Sequence, residues 1–261
     1  PNAKLNRFGL PTGALKADEP LYLSSFNRVS REYGFYMKDI TKKKGKMVKL
    51  AEGPYTMTVN GVSVSNEYPG IAEVGKSQKP PRKRSIPVFV YTKGNFENSN
   101  NVYITRDMFR SEVKISETNP QQKDYNWGTV EMVSWTTADS IKAEGLLFKP
   151  ENFDPNKKYP VIIYFYEKDS DELYNYRSPA PSRSIVNIPY FVSNGYIVFD
   201  PDIYYTTGHP GQSAMRSIMP AVDMLCEYPW IDSENMAIQG QSWGGYQVAY
   251  MITQTDRFKA A

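Results

Sequence analysis

The sequence predicts a mixed, mostly parallel α/β sheet with helices on both faces, preceded by a stretch of short antiparallel strands. Up to about Asn126, short segments of alternating β-branched and aromatic residues are separated by Gly, Asn, Asp or Pro, with no long helical period. From Trp127 onward, strands alternate with helical segments, the pattern of a sheet covered by helices. The 261 residues are 40% apolar and 23% charged, with 17 Gly and 19 Pro, so the chain builds a real core. At roughly 150 residues per domain the length corresponds to about 1.7 domains.

In the first part, residues 1–126, the expected strands are Leu21–Phe26, Tyr33–Met37, Lys46–Leu50, Val88–Thr92 and Asn101–Thr105. Their regular spacing suits propeller blades or a sandwich, with room for about two four-stranded blades, too few to close a ring. Ser77–Pro87 is the expected long loop, and within it Arg82-Lys83-Arg84 reads as a solvated stretch.

The second part, residues 127–261, opens with two strands, Val130–Thr136 and Ala143–Phe148, joined around Asp139 and Ser140 as an antiparallel hairpin. Val161–Tyr166 is apolar on both faces, as a buried central strand should be. A short helix near Ile188–Asn194 is stopped by Gly195, and the strand Tyr196–Phe199 runs into Asp200-Pro201-Asp202, read as turn and capping groups. Ala214, Ile218, Val222 and Leu225 or Cys226 share one face of a helix over 213–228, kinked at Pro220. Met236–Gln239 is a further strand, and Trp243–Gln254 is apolar nearly all round, as in a buried helix.

Composition excludes several chemistries. A net charge of +3 from 31 basic and 28 acidic residues, mostly interspersed, gives no sign of a nucleic-acid partner. Cys226 is the only cysteine, so no intramolecular disulfide and no multi-cysteine zinc site can form, and the compartment, periplasmic or cytoplasmic, stays undecided. His209 is the only histidine, which excludes sites needing two imidazoles; no metal and no cofactor is expected. The longest apolar run is about six residues, and the start, Pro1-Asn2, has no charged-then-apolar leader, so neither a membrane span nor a signal peptide is expected.

Gly240-Gln241-Ser242-Trp243-Gly244-Gly245 lies between the last strand and the last helix and fits G-x-S-x-G, the nucleophile elbow of α/β-hydrolases. So tight a turn strains the serine backbone and needs small residues two before and two after it, here Gly240 and Gly244. Ser242 would then expose its Oγ at the carboxyl edge of the sheet, above a helix N-terminus that favours a developing oxyanion. The alternative is an ordinary glycine-rich turn with a capping serine.

At these residues the sequence resembles the prolyl oligopeptidase family of serine peptidases, particularly its dipeptidyl-peptidase-like branch. The resemblance runs through Gly240–Tyr246, Lys158–Tyr166, Gly195–Asp200 and Gly145–Pro150, and covers residues from about 127 onward. It implies an α/β-hydrolase domain that follows a β-propeller, with Ser242 as acyl-forming nucleophile. It also implies the backbone N–H of Trp243 and the hydroxyl of Tyr166 as the two oxyanion donors, and a short peptide as substrate.

A serine needs an oriented base, normally histidine held by a carboxylate, and in α/β-hydrolases both follow the serine in the chain. After Ser242 there is one acidic residue, Asp256, about four helical turns or ~20 Å along, and no histidine. His209 precedes the serine and is a candidate substrate contact in Gly208–Gly211. The acidic loop Glu167, Asp169, Asp171 and Glu172 reads as solvated. The expectation is therefore an internal piece of a longer peptidase, inactive alone, whose strand Met236–Gln239 is left with an unpaired edge. A homo-oligomeric full-length protein, another α/β-hydrolase such as an esterase, and a pseudo-hydrolase that binds without catalysis stay open.

Overall fold

The computed structural model describes residues 2–5, 20–65, 86–180 and 184–261, with backbone course only for 2–5, 60–65 and 86. The basic stretch Arg82–Arg84 and most of Ser77–Pro87 lie outside the described residues. Pro87 itself falls within a strand. The chain separates into two compact units, 1–118 and 119–261, whereas the change from short strands to alternating strands and helices places the boundary after 126.

The first unit holds two four-stranded sheets, each an antiparallel meander in chain order. One is β1 (Asn2–Leu5), β2 (Leu21–Phe26), β3 (Tyr33–Lys38) and β4 (Met47–Gly53); the other is β5 (Thr56–Ser65), β6 (Ile86–Gly94), β7 (Asn101–Thr105) and β8 (Val113–Lys114). Strand alternation sends Phe35 of β3 and Phe89 and Tyr91 of β6 into one shared aromatic core, with Phe35 and Phe89 edge-to-face at 5.7 Å.

The second unit is a five-stranded sheet formed by β9 (Thr129–Thr136), β10 (Lys142–Lys149), β11 (Tyr159–Tyr164), β12 (Ile197–Pro201) and β13 (Ile231–Gln239). Its spatial order is β13-β11-β12-β10-β9. β9, β10 and β12 pair antiparallel, whereas β12, β11 and β13 pair parallel. Val161, Ile163, Ile197 and Phe199 form one cluster with Ala214 and Ile218 of α2 (Pro210–Cys226) and Met251 of α3 (Trp243–Met251). Each Val, Ile, Phe and Met among them, fully buried, contributes roughly 1.5–3 kcal/mol. Their alternates Ile162, Val198 and Asp200 face the other side of the sheet, and α1 (Ile188–Ser193) lies against β10 and β12. Gly195, at φ +84°, ends α1 as expected, since a left-handed residue there suits glycine.

Two helices and the outer edge of β13 differ from expectation. The 213–228 helix starts earlier, at Pro210, and runs on through Pro220. Proline deprives the carbonyl of Arg216 of its helical donor, and that carbonyl instead accepts the N–H of Ala138 from the β9–β10 turn at 3.0 Å. The neighbouring Ser217 carbonyl accepts the Trp135 indole N–H at 2.8 Å. The last helix is only nine residues and is buried along one side, at Gly244, Gln247 and Met251, while Trp243 and Tyr246 are exposed and stacked at 5.9 Å. Its apolar pattern therefore covers both a core side and an open side. The outer edge of β13 is partly used: Ile238 N–H donates to the Ala260 carbonyl at 3.0 Å and Lys259 N–H to the Met236 carbonyl at 2.7 Å. Among the described residues no helix is long and apolar enough to cross a membrane.

Candidate active site

Ser242 joins β13 to α3 with φ 54° and ψ −108°, a conformation that L-residues occupy only under constraint from their surroundings. The constraint is visible in the glycines. A Cβ on Gly240 would sit 2.4 Å from the carbonyl of Gly244, and one on Gly244 would sit 2.5 Å from the Phe165 carbonyl oxygen, just past the end of β11. Gly245 is looser, since its Cβ would stand 3.4 Å from the Gly240 oxygen, close to ordinary contact. Ser242 occupies the N-cap position of α3, yet its side chain makes no capping bond, which removes the capping-serine alternative. Its exposed hydroxyl bonds to none of the described residues. The N–H of Trp243, first residue of α3, has no intrahelical acceptor and belongs to the positive end of the helix.

Tyr166 was expected to end the third strand, but β11 stops at Tyr164. The ladder ends there because its neighbour β13 turns into the elbow at Gly240; Phe165 N–H still donates to the Gln239 carbonyl at 3.3 Å. Tyr166 thus lies just beyond the strand, against the elbow: its Cα is 3.7 Å from where a Gly244 Cβ would stand. Its half-buried phenol hydroxyl bonds to none of the described residues.

Two residues that sequence reasoning passed over lie here. The Tyr205 hydroxyl, on the loop between β12 and α2, donates to the Tyr166 carbonyl at 2.5 Å and accepts from Gln247 Nε2 at 2.7 Å. Burial raises the Tyr205 pKa, opposed by the Gln247 and Trp243 side chains, so the phenol is a donor at neutral pH. A lone polar residue on the buried side of a largely apolar helix was the available signal for Gln247.

His209 is the exposed N-cap of α2; its carbonyl accepts the Ser213 N–H at 3.0 Å and the Ser213 hydroxyl at 2.7 Å. No contact joins it to Ser242 among the described residues. Asp256 is not four turns along a helix, because α3 ends at Met251; it is exposed in the irregular segment after the turn that follows, with Arg257 and Phe258 beside Ser233 and Glu234 of β13.

The acidic groups are less solvated than expected. Glu167 and Asp171 are exposed, but the segment folds into a 3-10 turn, Ser170–Glu172, whose buried Ser170 donates its N–H and hydroxyl to Asp202 at 2.9 and 2.7 Å. Asp200 is no turn or capping group: it lies within β12, 1% exposed, because the strand continues through Pro201. Neither of its oxygens takes a hydrogen bond from the described residues, and Arg177 Nη2 stands 3.7 Å away while bonding Glu172 at 3.0 Å. Burial holds the Asp200 carboxyl well above the usual carboxylate range, and Asp169 adds to this while Arg177 opposes it. Burial raises Asp169 and Asp202 as well, and it pushes Tyr164 up to about 12.

A carboxyl whose native pKa exceeds its unfolded value of about 3.9 binds more protons when folded. Its contribution to stability is therefore complete below about pH 4 and is lost as pH rises through the native value. Asp200→Asn keeps the shape without the charge, so its melting temperature should fall less between about pH 5 and pH 8 than that of the wild type, each unit of lifted pKa being worth about 1.4 kcal/mol. Parallel curves in a thermal unfolding series across that range would contradict this. Among the described residues no group of three or more His, Cys, Asp or Glu side chains is arranged to hold a metal ion.

Dipeptidyl-peptidase 5 of Porphyromonas gingivalis is 27% identical over 126 residues, which is 43% of this chain and 17% of that protein. The uncharacterized peptidase YuxL of Bacillus subtilis is 24% identical over 218 residues, 78% of this chain and 29% of that one. The chain thus spans less than a third of either relative. Among solved structures, Porphyromonas gingivalis dipeptidyl peptidase 4 superposes with a TM-score of 0.64 at 18% identity, covering 99% of this chain and 34% of that one. Pyrococcus horikoshii acylaminoacyl peptidase gives 0.61 at 17% identity, covering 92% and 34%. These two likenesses establish the fold. The sequence model of the prolyl oligopeptidase family matches residues 181–261, a span that runs from before α1 through β12, α2 and β13 to the strained serine and its helix, and in this span the chain is similar to that family.

Proposed function

We propose that this chain carries the nucleophile of a serine peptidase that cleaves short peptides through an acyl-enzyme on Ser242. The observation that carries the reading is the serine itself, strained at φ 54° between a buried strand and a helix N-terminus with its hydroxyl uncommitted. Attack by Oγ on a peptide carbonyl places negative charge on the carbonyl oxygen, and the Trp243 N–H and the Tyr166 hydroxyl are its donors. The base and its carboxylate come from outside these residues, because His209 precedes the serine and caps α2 at its exposed end. The two meanders of the first unit are blades of a β-propeller, which in the whole protein would restrict the cleft to oligopeptides.

The test uses the intact protein with dipeptidyl and tripeptidyl p-nitroanilides bearing Pro or Ala at the scissile residue, and with p-nitrophenyl esters of similar size. Cleavage of at least one amide series is expected, and ester turnover with every amide left intact would overturn the peptidase assignment. The 261 residues by themselves are expected to turn over none of these substrates, and multiple turnovers by the purified chain would contradict the placement of the base outside it.

A further inference from the structure

The loop between β12 and α2 is fastened along its length. Ile203 N–H donates to the Glu167 carbonyl at 2.7 Å, Tyr204 N–H to Ser217 Oγ at 3.1 Å, and Thr206 N–H to Ser213 Oγ at 2.9 Å. Arg216 adds a bond to Thr206 Oγ1 at 2.8 Å. A loop so held delivers the Tyr205 hydroxyl to one place, between the Tyr166 carbonyl at 2.5 Å and Gln247 Nε2 at 2.7 Å. Gln247 is fully buried just over a turn along α3 from Ser242, and its Oε1 has no partner among the described residues, so the bond from Nε2 to Tyr205 is the one that holds this side chain. A buried amide is costly to leave unpaired, so the phenol and the amide fix one another.

We propose that Tyr205 is a positioning residue of the active site: its hydroxyl, held by Gln247, ties the backbone of Tyr166 to the helix that bears Ser242. In this arrangement the oxyanion phenol of Tyr166 and the nucleophile keep a set separation although they follow different strands, β11 and β13. The proposal rests on the reading of Tyr166 as an oxyanion donor given above. Donors of this kind act by being placed before charge develops, and displacement of about 1 Å can cost on the order of a hundredfold in rate. A tyrosine that merely packed would lose little on replacement by phenylalanine, which keeps the ring.

The experiment is a double-mutant cycle in the intact protein on whichever peptide it cleaves best, with thermal unfolding of each variant alongside. Tyr205→Phe is expected to lower kcat by about tenfold with KM changed by less than about twofold, because an effect on the transition state alone spares ground-state binding. In a Tyr166→Phe background the same change is expected to cost no more than about twofold, since the group being positioned is already gone. Gln247→Met, which removes the other half of the clamp, should reproduce the kcat loss and carries the cycle should Tyr205→Phe fail to fold. Losses that multiply, or a Tyr205→Phe enzyme with unchanged kcat or with only KM raised, would overturn the proposal while leaving the role of Tyr166 intact. A Tyr166→Phe enzyme as active as the wild type would overturn that underlying role, and the proposal with it.

Discussion

Replacing Ser242 by alanine is expected to lower kcat for peptide hydrolysis by about a millionfold in the intact protein, to the rate left by binding and the oxyanion donors alone. The size follows from the chemistry. Without Oγ no acyl-enzyme forms, and a water would have to attack from a position the elbow does not prepare. Stability should hardly change, because the Ser242 side chain is exposed and caps nothing. Steady-state kinetics together with thermal unfolding separate the two effects; retention of more than about a hundredth of the activity would show that another group forms the covalent bond.

The second large effect is structural. Gly244→Ala places a methyl 2.5 Å from the Phe165 carbonyl oxygen, which is main chain just past the end of β11 and cannot rotate away. Overpacking of this kind costs about 3 kcal/mol, or roughly 6–12 °C in melting temperature for a unit of this size. Activity should fall with it, because the elbow can relieve the clash only by moving Ser242. Gly245→Ala is the internal control. Its Cβ meets the Gly240 oxygen at 3.4 Å, and the better helix propensity of alanine, worth up to about 1 kcal/mol, offsets the crowding. Equal destabilisation by the two substitutions would show that the close approach of Gly244 to the central strand does not govern the elbow.

Much of this was legible in the sequence because the signals are local. The strands β2, β3, β6, β7, β9 and β10 follow alternation and turn residues. The elbow follows from glycine spacing, and α2 from apolar residues three and four apart. Other features depend on neighbours that a linear reading does not see. Asn60-Gly61 carries a hairpin-turn signature, yet it lies inside β5, where the register to β6 shifts between Val59 and Gly61. Asp200-Pro201-Asp202 looks like a turn, but pairing of Gly145 with Pro201 prolongs β12 and buries Asp200. Tyr166 sits beyond the strand because the ladder is limited by where β13 bends. The Tyr205–Gln247 clamp joins residues 42 apart in sequence, and neither carries a motif.

The central claim is that Ser242 is a nucleophile activated within a prolyl-oligopeptidase-family site, and covalent labelling addresses it most directly. The intact protein is treated with a fluorophosphonate, digested, and mapped by peptide mass. The account predicts one adduct per molecule, on the peptide containing Ser242, formed in step with loss of peptidase activity and absent after heat denaturation. Full loss of activity with the adduct on a different serine, or sustained peptide cleavage with Ser242 unlabelled, would contradict it.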